Sequence, residues 1–327
     1  MKILLNENKP FFKANLHCHT TYSDGKHTPQ EVKDEYKKRG YSIVAFTDHE
    51  HIMDQSHLND ENFLAITGFE LTLKEYPWLS SGTNPAMRTA HFNMYSLDPH
   101  NTITPCYNSV YDYFGTEEAR KMIRHEGEYE RIYTAEGINE IIRTVKEKGF
   151  IVCYNHPTWS MENATDYLGY EGMFAVEIYN SGCSYDGRGD DEHVYDDLLR
   201  AGKRVFCIAA DDMHQFYHGF GGWTCINTDK LEYASVMEAL QKGDFYASQG
   251  PQIFSLVQDG NKVKIRTSAC RKISLITGTR RAAAVHAQEG TPLTEAEFVL
   301  DMEKDIYFRI RVTDNSGYNA YTQAYFL

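Results

Sequence analysis

The chain has 327 residues, 42% hydrophobic and 24% charged, with 23 Tyr and 17 Phe; it can bury a large core, which excludes a disordered chain. Its 33 Lys and Arg against 46 Asp and Glu leave a formal net charge of −13, a surface that repels phosphate backbones and disfavours double-stranded nucleic acid as a partner. Seven scattered Cys without a CxxC pair, and a first segment, MKILLNENKPFF, whose apolar run is too short for a signal peptide or a span, point to a cytoplasmic protein that does not enter a membrane.

In chain order, the first informative stretch is NLHCHTTYSDGKHTP. His17 and His19, two residues apart in a segment that reads as a strand, project to one side of it and form a bidentate claw for a metal. Asp24 follows in a Ser-Asp-Gly turn. Thr28-Pro29 then opens a helix, with Thr as N-cap, Pro at N1, Glu31 in the first turn and Gly40 after the basic end. The next apolar run, 42–47, ends in Thr47-Asp48-His49. FLAITGFE, 63–70, reads as a strand closing on Glu70. A polar loop bearing Pro and Gly leads to the strand AHFNMYSL, entered through His91.

Residues 99–134 lose this rhythm and are expected to form a helical excursion that covers the site. From Thr134 a helix carries Ile138, Ile141, Ile142 and Val145 at i, i+3, i+4, i+7. It feeds the strand FIVCYN and His156-Pro157. MFAVEIY, 173–179, passes into a glycine-rich loop, with Glu177 and Asn180 placed to line a mouth. A helix through VYDDLLRAG leads to the strand RVFCIAA and Asp211-Asp212-Met213-His214. Strand, ligand and helix recur six or seven times, the pattern of a parallel barrel. After helix 231–242, six short alternating runs split by Asp-Gly and Asn-Ser-Gly turns describe a small antiparallel sandwich. The expected organisation is therefore a barrel over 1–250 and an all-β domain over 251–327.

The polar residues at strand ends form one set: His17, His19, Asp24, His49, Glu70, His91, His156, Asp212 and His214. Any one of these histidines has a bland explanation as a satisfied core or surface group. Taken together, HxH, TDH and DxH occupy equivalent places, which favours metal. Imidazole and carboxylate without thiolate suit Zn, Mn, Fe or Co, and nine donors exceed one ion. Two or three divalent ions are expected, bridged by a carboxylate such as Glu70.

HxHTxxSDG, the TDH after the next strand, Glu70, the NHP at 155–157 and the DxH at 212–214 resemble the PHP (polymerase and histidinol phosphatase) superfamily, and the phrase GDFYASQGP before a β tail resembles its CehA/McbA-type branch. The resemblance implies a distorted (β/α)7 barrel with a trinuclear site: His17, His19, Glu70 and Asp212 on one metal, Glu70, His91 and His156 on a second, Asp24, His49 and His214 on the third. Asn15 and Asp211 stand where the family usually has Asp and Ser. Asp211 adds a carboxylate near the metals.

Two cations sharing an oxygen let hydroxide exist near neutral pH, so no protein nucleophile is required. Asp48 and Asp211, each beside a ligand, read either as orienters of imidazoles or as loop carboxylates. Arg188, Arg88 and His218 are candidate contacts to a small anionic substrate, with solvent-facing loop residues as the alternative. The expected activity is hydrolysis of a phosphomonoester such as a nucleotide or sugar phosphate by a metal-bound hydroxide. Its rivals are hydrolysis of a carboxylic or carbamate ester, and a non-catalytic module held together by metal.

Overall fold

A computed structural model describes residues 1–79, 86–189 and 191–327. In chain order its strands are β1 (Lys2–Leu5), β2 (Phe11–Asn15), β3 (Ile43–Phe46), β4 (Leu64–Lys74), β5 (Thr89–Ser96), β6 (Ile103–Thr104), β7 (Arg124–His125), β8 (Phe150–Tyr154), β9 (Ala175–Asn180), β10 (Phe206–Ala210), β11 (Trp223–Asn227), β12 (Phe245–Ser248), β13 (Ile253–Asp259), β14 (Lys262–Cys270), β15 (Lys272–Thr277), β16 (Ala282–His286), β17 (Leu293–Val299), β18 (Tyr307–Thr313), β19 (Asn319–Thr322) and β20 (Tyr325–Phe326). The helices are α1 (Pro29–Lys38), α2 (Glu117–Arg120), α3 (Ala135–Glu147), α4 (Ala164–Tyr167), α5 (Ser181–Tyr185), α6 (Glu192–Arg200) and α7 (Tyr233–Lys242).

Helix boundaries follow local chemistry. The Thr28 hydroxyl accepts from the Glu31 N–H while the Glu31 carboxylate accepts from the Thr28 N–H, a reciprocal cap for α1. Thr134 caps α3 through the Gly137 N–H, and Ile138, Ile141, Ile142 and Val145 all turn inward as their spacing requires. Those four side chains pack α3 against Phe92, Phe150 and Val152 on the outer face of the sheet. On the inner face, Leu16, Ala45, Ile66, Cys153 and Ile208 belong to a separate apolar floor.

Seven strands curve in the order β2-β3-β4-β5-β8-β9-β10. The expected closed parallel barrel is corrected in two respects. β5 is antiparallel to both neighbours, which the short return from β4 permits because an antiparallel partner needs no helical crossover. The ring is also open, because the free edge of β2 is taken by β11, antiparallel, and no ladder joins β2 to β10. Side chains and one bridge stitch the seam instead: Thr224 on β11 bonds the Ala209 N–H and C=O of β10, Asn15 Oδ1 accepts from the Asp211 N–H at 2.9 Å, and the His19 N–H donates to the Met213 carbonyl at 3.0 Å.

From β11 the same sheet runs on through β12, β19, β18, β15 and β16. A second sheet, β1-β13-β14-β17, faces that extension across a core of Leu5, Leu256, Ile265, Leu275, Phe308 and Ile310. The N-terminal strand therefore lies in the tail sheet. The excursion at 99–134 holds one four-residue helix, α2, and the β6–β7 pair, and is otherwise irregular. Part of the polar loop before His91, residues 80–85, lies outside the described residues, as does Asp190 in the loop after β9.

Candidate metal centre

The nine side chains singled out from the sequence converge where the strands of the curved sheet end. His17 and His19 follow β2, Asp24 lies in the next turn, and His49 follows β3. Glu70 and His91 sit within β4 and β5, His156 follows β8, and Asp212 and His214 follow β10. The Ser-Asp-Gly turn is pressed onto the HxH segment so closely that a Cβ on Gly25 would stand 2.5 Å from the backbone of His19 and Thr20, so only glycine fits there. Asp48 secures the same turn, accepting from Thr20 N at 2.7 Å and from Ser23 Oγ at 2.7 Å.

Glu70 is the hub. Its Oε1 lies 3.3 Å from His17 Nε2, 3.1 Å from His91 Nδ1 and 3.2 Å from His156 Nε2; its Oε2 lies 3.3 Å from His19 Nε2 and 3.1 Å from His49 Nδ1. Asn155 donates to Oε1 at 2.8 Å and fixes the carboxylate's orientation. Asp212 Oδ1 stands 3.4 Å from His17 Nε2 and 3.1 Å from His19 Nε2, and those two ring nitrogens are 3.1 Å apart. Asp24 lies 3.3 Å from His214 Nε2, 3.7 Å from His19 Nδ1 and 3.9 Å from His49 Nε2.

These separations test whether the donors fit an ion. His17 Nε2, His19 Nε2 and Asp212 Oδ1 lie 3.1 to 3.4 Å from one another, while Glu70 turns Oε1 to His17 and Oε2 to His19, each at 3.3 Å. A triangle with such edges leaves room for a cation about 2 Å from each of its three corners, the length of a zinc–nitrogen or zinc–carboxylate bond. Asp212 Oδ1 and His49 Nδ1 are buried without a hydrogen-bond partner, atoms for which a cation would account. Asp212 and His156 also hold left-handed backbone, φ 51° and 28°, strain of the kind that gathers at functional sites.

The electrostatics agree. Burial opposes the charged form of His17, yet Asp212, Glu70 and Glu177 outweigh it and hold that ring's pKa well above the ordinary value. His19 is pushed up to about 10, burial again being outweighed by Asp212 and Glu70. In the reciprocal sense, the imidazoles overcome burial and hold Glu70 and Asp212 well below the carboxylate range. Away from Asp212, burial prevails: His49 falls to about 3 and His91 is lowered. The field that draws protons onto His17 and His19 is the field that would draw a dication.

The remaining candidates are placed as follows. Asp211 accepts from the Tyr36 hydroxyl and from the Gly221 and Gly222 N–H groups, and burial lifts it to about 6. The bonds of Asp48 and Asp211 thus go to loop backbone and hydroxyls, whereas the two expectations were contact with imidazole or a solvated loop carboxylate; both side chains are buried. The carboxylate that does reach a ring is Glu177, fully buried, whose Oε1 lies 2.7 Å from His17 Nδ1. The sequence places Glu177 only at a mouth; an acid in the middle of the apolar run MFAVEIY is the signal for its deeper role. Arg88 is committed to Glu75 and Asp166, which takes it away from a substrate role. Arg188 is exposed, with Nη1 3.0 Å from Met161 Sδ. His218 lies beside His214, ring centroids 6.0 Å apart, with Nδ1 buried and unpartnered.

Two aromatic rings that the sequence did not single out as ligand neighbours flank the cluster. Phe114, from the irregular excursion, stacks on His49 at 4.2 Å, and Trp159 packs against His156 at 4.9 Å and His91 at 5.3 Å.

Residues 15–95 match the model of the PHP domain, a segment that carries His17, His19, Asp24, His49, Glu70 and His91. No curated protein matches the chain. Among solved structures it is similar to a two-domain protein from Bacteroides vulgatus containing a predicted PHP-like metal-dependent phosphoesterase, with 14% identity and a TM-score of 0.47 over 99% of this chain and 98% of that one. It is also similar to an amidohydrolase from Chromobacterium violaceum, with 15% identity and a TM-score of 0.40 over 71% and 96%. A lesion-specific endonuclease from Pyrococcus furiosus matches with 14% identity and a TM-score of 0.41 over 71% and 56%.

Proposed function

We propose that this protein is a metal-dependent hydrolase acting on a small phosphomonoester, such as a nucleotide or sugar phosphate. The observation that supports this reading best is the buried three-donor set His17, His19 and Asp212, spaced for a cation and shielded from water, with Glu70 against both rings. In the proposed arrangement Glu70 is shared with a second ion that takes His91 and His156, and Asp24, His49 and His214 hold a third. Three ligand carboxylates against two or three Mn, Zn or Fe dications leave the centre net positive, which suits an anionic substrate.

When bound, such ions supply Lewis acidity toward the phosphoryl oxygens and ionise water near neutral pH. The chain's own residues do the rest. Asp48 and Gly25 keep the Ser-Asp-Gly turn against the HxH segment, and Asn155 keeps Glu70 aimed at the centre. Asp24 and His214 are the half-exposed members of the set, so substrate approaches on their side. Arg188 offers a guanidinium that has no carboxylate partner among the described residues and would clamp an oxyanion in a fork. His218, lowered in pKa by burial and by His214, presents a neutral imidazole that would hydrogen-bond the ester oxygen. No nucleic acid duplex or membrane is part of this reading. Among the described residues no helix is long and apolar enough to cross a membrane.

The test is manganese-loaded protein assayed against phosphorylated metabolites and against aryl and carbamate esters. Phosphate release that chelator abolishes and manganese restores is the expected result. Good turnover of carboxylic esters without phosphate release would replace the phosphomonoester by the rival substrate class.

A further inference from the structure

Glu177 has no part in the donor set, yet three members of it depend on this one carboxylate. It lies on β9, fully buried, with Oε1 2.7 Å from His17 Nδ1. Its Oε2 accepts from the His156 backbone N–H at 3.0 Å and from Asn180 Nδ2 at 2.9 Å. That Asn180 nitrogen also reaches Asp212 Oδ2 at 3.3 Å. Donors from the ends of β2, β8 and β10 are thereby tied to a single residue on the strand between β8 and β10.

The bond to His17 has a chemical consequence. An ionised carboxylate at Nδ1 requires the ring proton on Nδ1, so the Nε2 lone pair faces His19, Glu70 and Asp212. A cation at Nε2 polarises the ring and strengthens the Nδ1–H bond to Glu177, so bond and ion reinforce each other. In this dry setting the Glu177 charge is also little screened. In the Asp24, His49 and His214 group, His49 Nδ1 lies 3.1 Å from Glu70 Oε2 without a hydrogen bond. Asp24 and His214 expose 32% and 26% of their side chains, and His214 Nδ1 rests against a neutral backbone carbonyl, that of Asp212, at 3.1 Å.

Taking the cluster as the metal centre proposed above, we infer that Glu177 is the positioning residue that makes the ion at His17, His19 and Asp212 the tightest in the centre, while the ion at Asp24, His49 and His214 is the exchangeable one. The centre then loads in a fixed order, and chelator removes its ions in reverse order.

The experiment is a stepwise titration of metal-stripped protein with zinc against a chromophoric chelator, with metal content read by plasma mass spectrometry. Glu177→Gln keeps the side chain's shape and removes its charge; the tightest equivalent should weaken about 10- to 100-fold while the weakest is unchanged. His214→Ala should remove the weakest equivalent alone. Glu177→Asp, charged but shorter, should recover part of the loss. Circular dichroism establishes that each variant is folded, and zinc-loaded wild type with 15N-labelled histidine provides a reading that needs no variant, since His17 should carry its proton on Nδ1 and its metal on Nε2. Equal weakening of every equivalent in Glu177→Gln, no weakening at all, or a proton on Nε2 of His17 would each overturn the inference. A wild type that binds no zinc would overturn the metal-centre reading itself, before any variant is made.

Discussion

Replacing Arg131 by Met should destabilise the protein by about 3–5 kcal/mol, the usual effect of removing one partner from a buried ion pair. Arg131 and Glu50 expose 0% and 1% of their side chains and are joined by two bonds, Nη1 to Oε1 at 2.8 Å and Nη2 to Oε2 at 2.6 Å. Arg131 also donates to the carbonyls of Cys106 and Thr72. Methionine fills much of the volume but leaves the Glu50 carboxylate with the Thr72 N–H at 3.0 Å as its remaining partner among the described residues. Unfolding entropy for 327 residues is roughly 0.7 kcal/mol/K, so the melting temperature should fall by about 4–7 °C. The control is the double variant Arg131→Met with Glu50→Gln. Removing both charges should recover most of the loss, because the cost lies in the stranded carboxylate rather than in the missing attraction. Scanning calorimetry on the two singles and the double closes the cycle, and a double variant no more stable than Arg131→Met would refute the reasoning. The pair also bears on the site: Glu50 follows His49 directly, and Arg131 ends the excursion that lays Phe114 on that ring.

Glu70→Ala and Asp212→Ala should each abolish turnover and reduce bound metal while the far-ultraviolet circular dichroism stays native, since both carboxylates belong to the polar donor cluster and not to the apolar floor; loss of all structure in either would show the donors to be structural. Chelation of as-isolated protein should lower its melting temperature, because ions bound to the folded chain alone stabilise it by mass action; an unchanged melt together with no transition metal by mass spectrometry would remove the basis of the proposed chemistry. Glu162 is held above its usual pKa by burial, which three tyrosine hydroxyls, Tyr133, Tyr154 and Tyr170, only partly offset. A folded acid that keeps its proton where the unfolded chain has released it loses stability as pH rises from the ordinary Glu value through the raised one. Glu162→Gln should lack that decline, so the melting-temperature difference between variant and wild type should shift in the variant's favour as pH rises above the ordinary Glu value, and a constant difference would contradict the assignment.

Much of the centre was legible because metal donors announce themselves by type and place. HxH after a strand, TDH after the next and DxH after another can be read from one chain, and the structure brings His17, His19 and His49 within 3.3 Å of Glu70 and Asp212 within 3.4 Å of His17. What could not be read depends on pairing between distant segments. Nothing in TCIN or KILL announces that β11 occupies the edge of β2, or that β1 joins the tail sheet, so a closed ring was the natural expectation from repeated strand–helix units. The support for the donors was equally hidden. From its place before His49, Asp48 reads equally as an imidazole partner or a loop carboxylate, yet its oxygens face Thr20 and Ser23, while the working partner of His17 lies 160 residues away. Phe114 sits in a stretch with no periodicity, and its stacking on His49 is a product of the fold alone.

The open seam and the tail belong to one argument. With β2 engaged by β11, the edge of β10 has no strand to pair with on that side, and its unpaired groups must be satisfied by other means. Thr224 takes the Ala209 groups, and Gln323, from the far end of the chain, accepts from the Cys207 N–H at 2.8 Å and donates to the Cys207 and Phe245 carbonyls. Arg309 on β18, fully buried, binds Glu192 and Asp196 of α6, the helix that leads into β10. β10 is the strand that delivers Asp212 and His214 to the centre. The C-terminal strands therefore complete the wall on which two of the donors stand, and the position of Asp212 is set as much by residues 309 and 323 as by the strands that carry the other ligands.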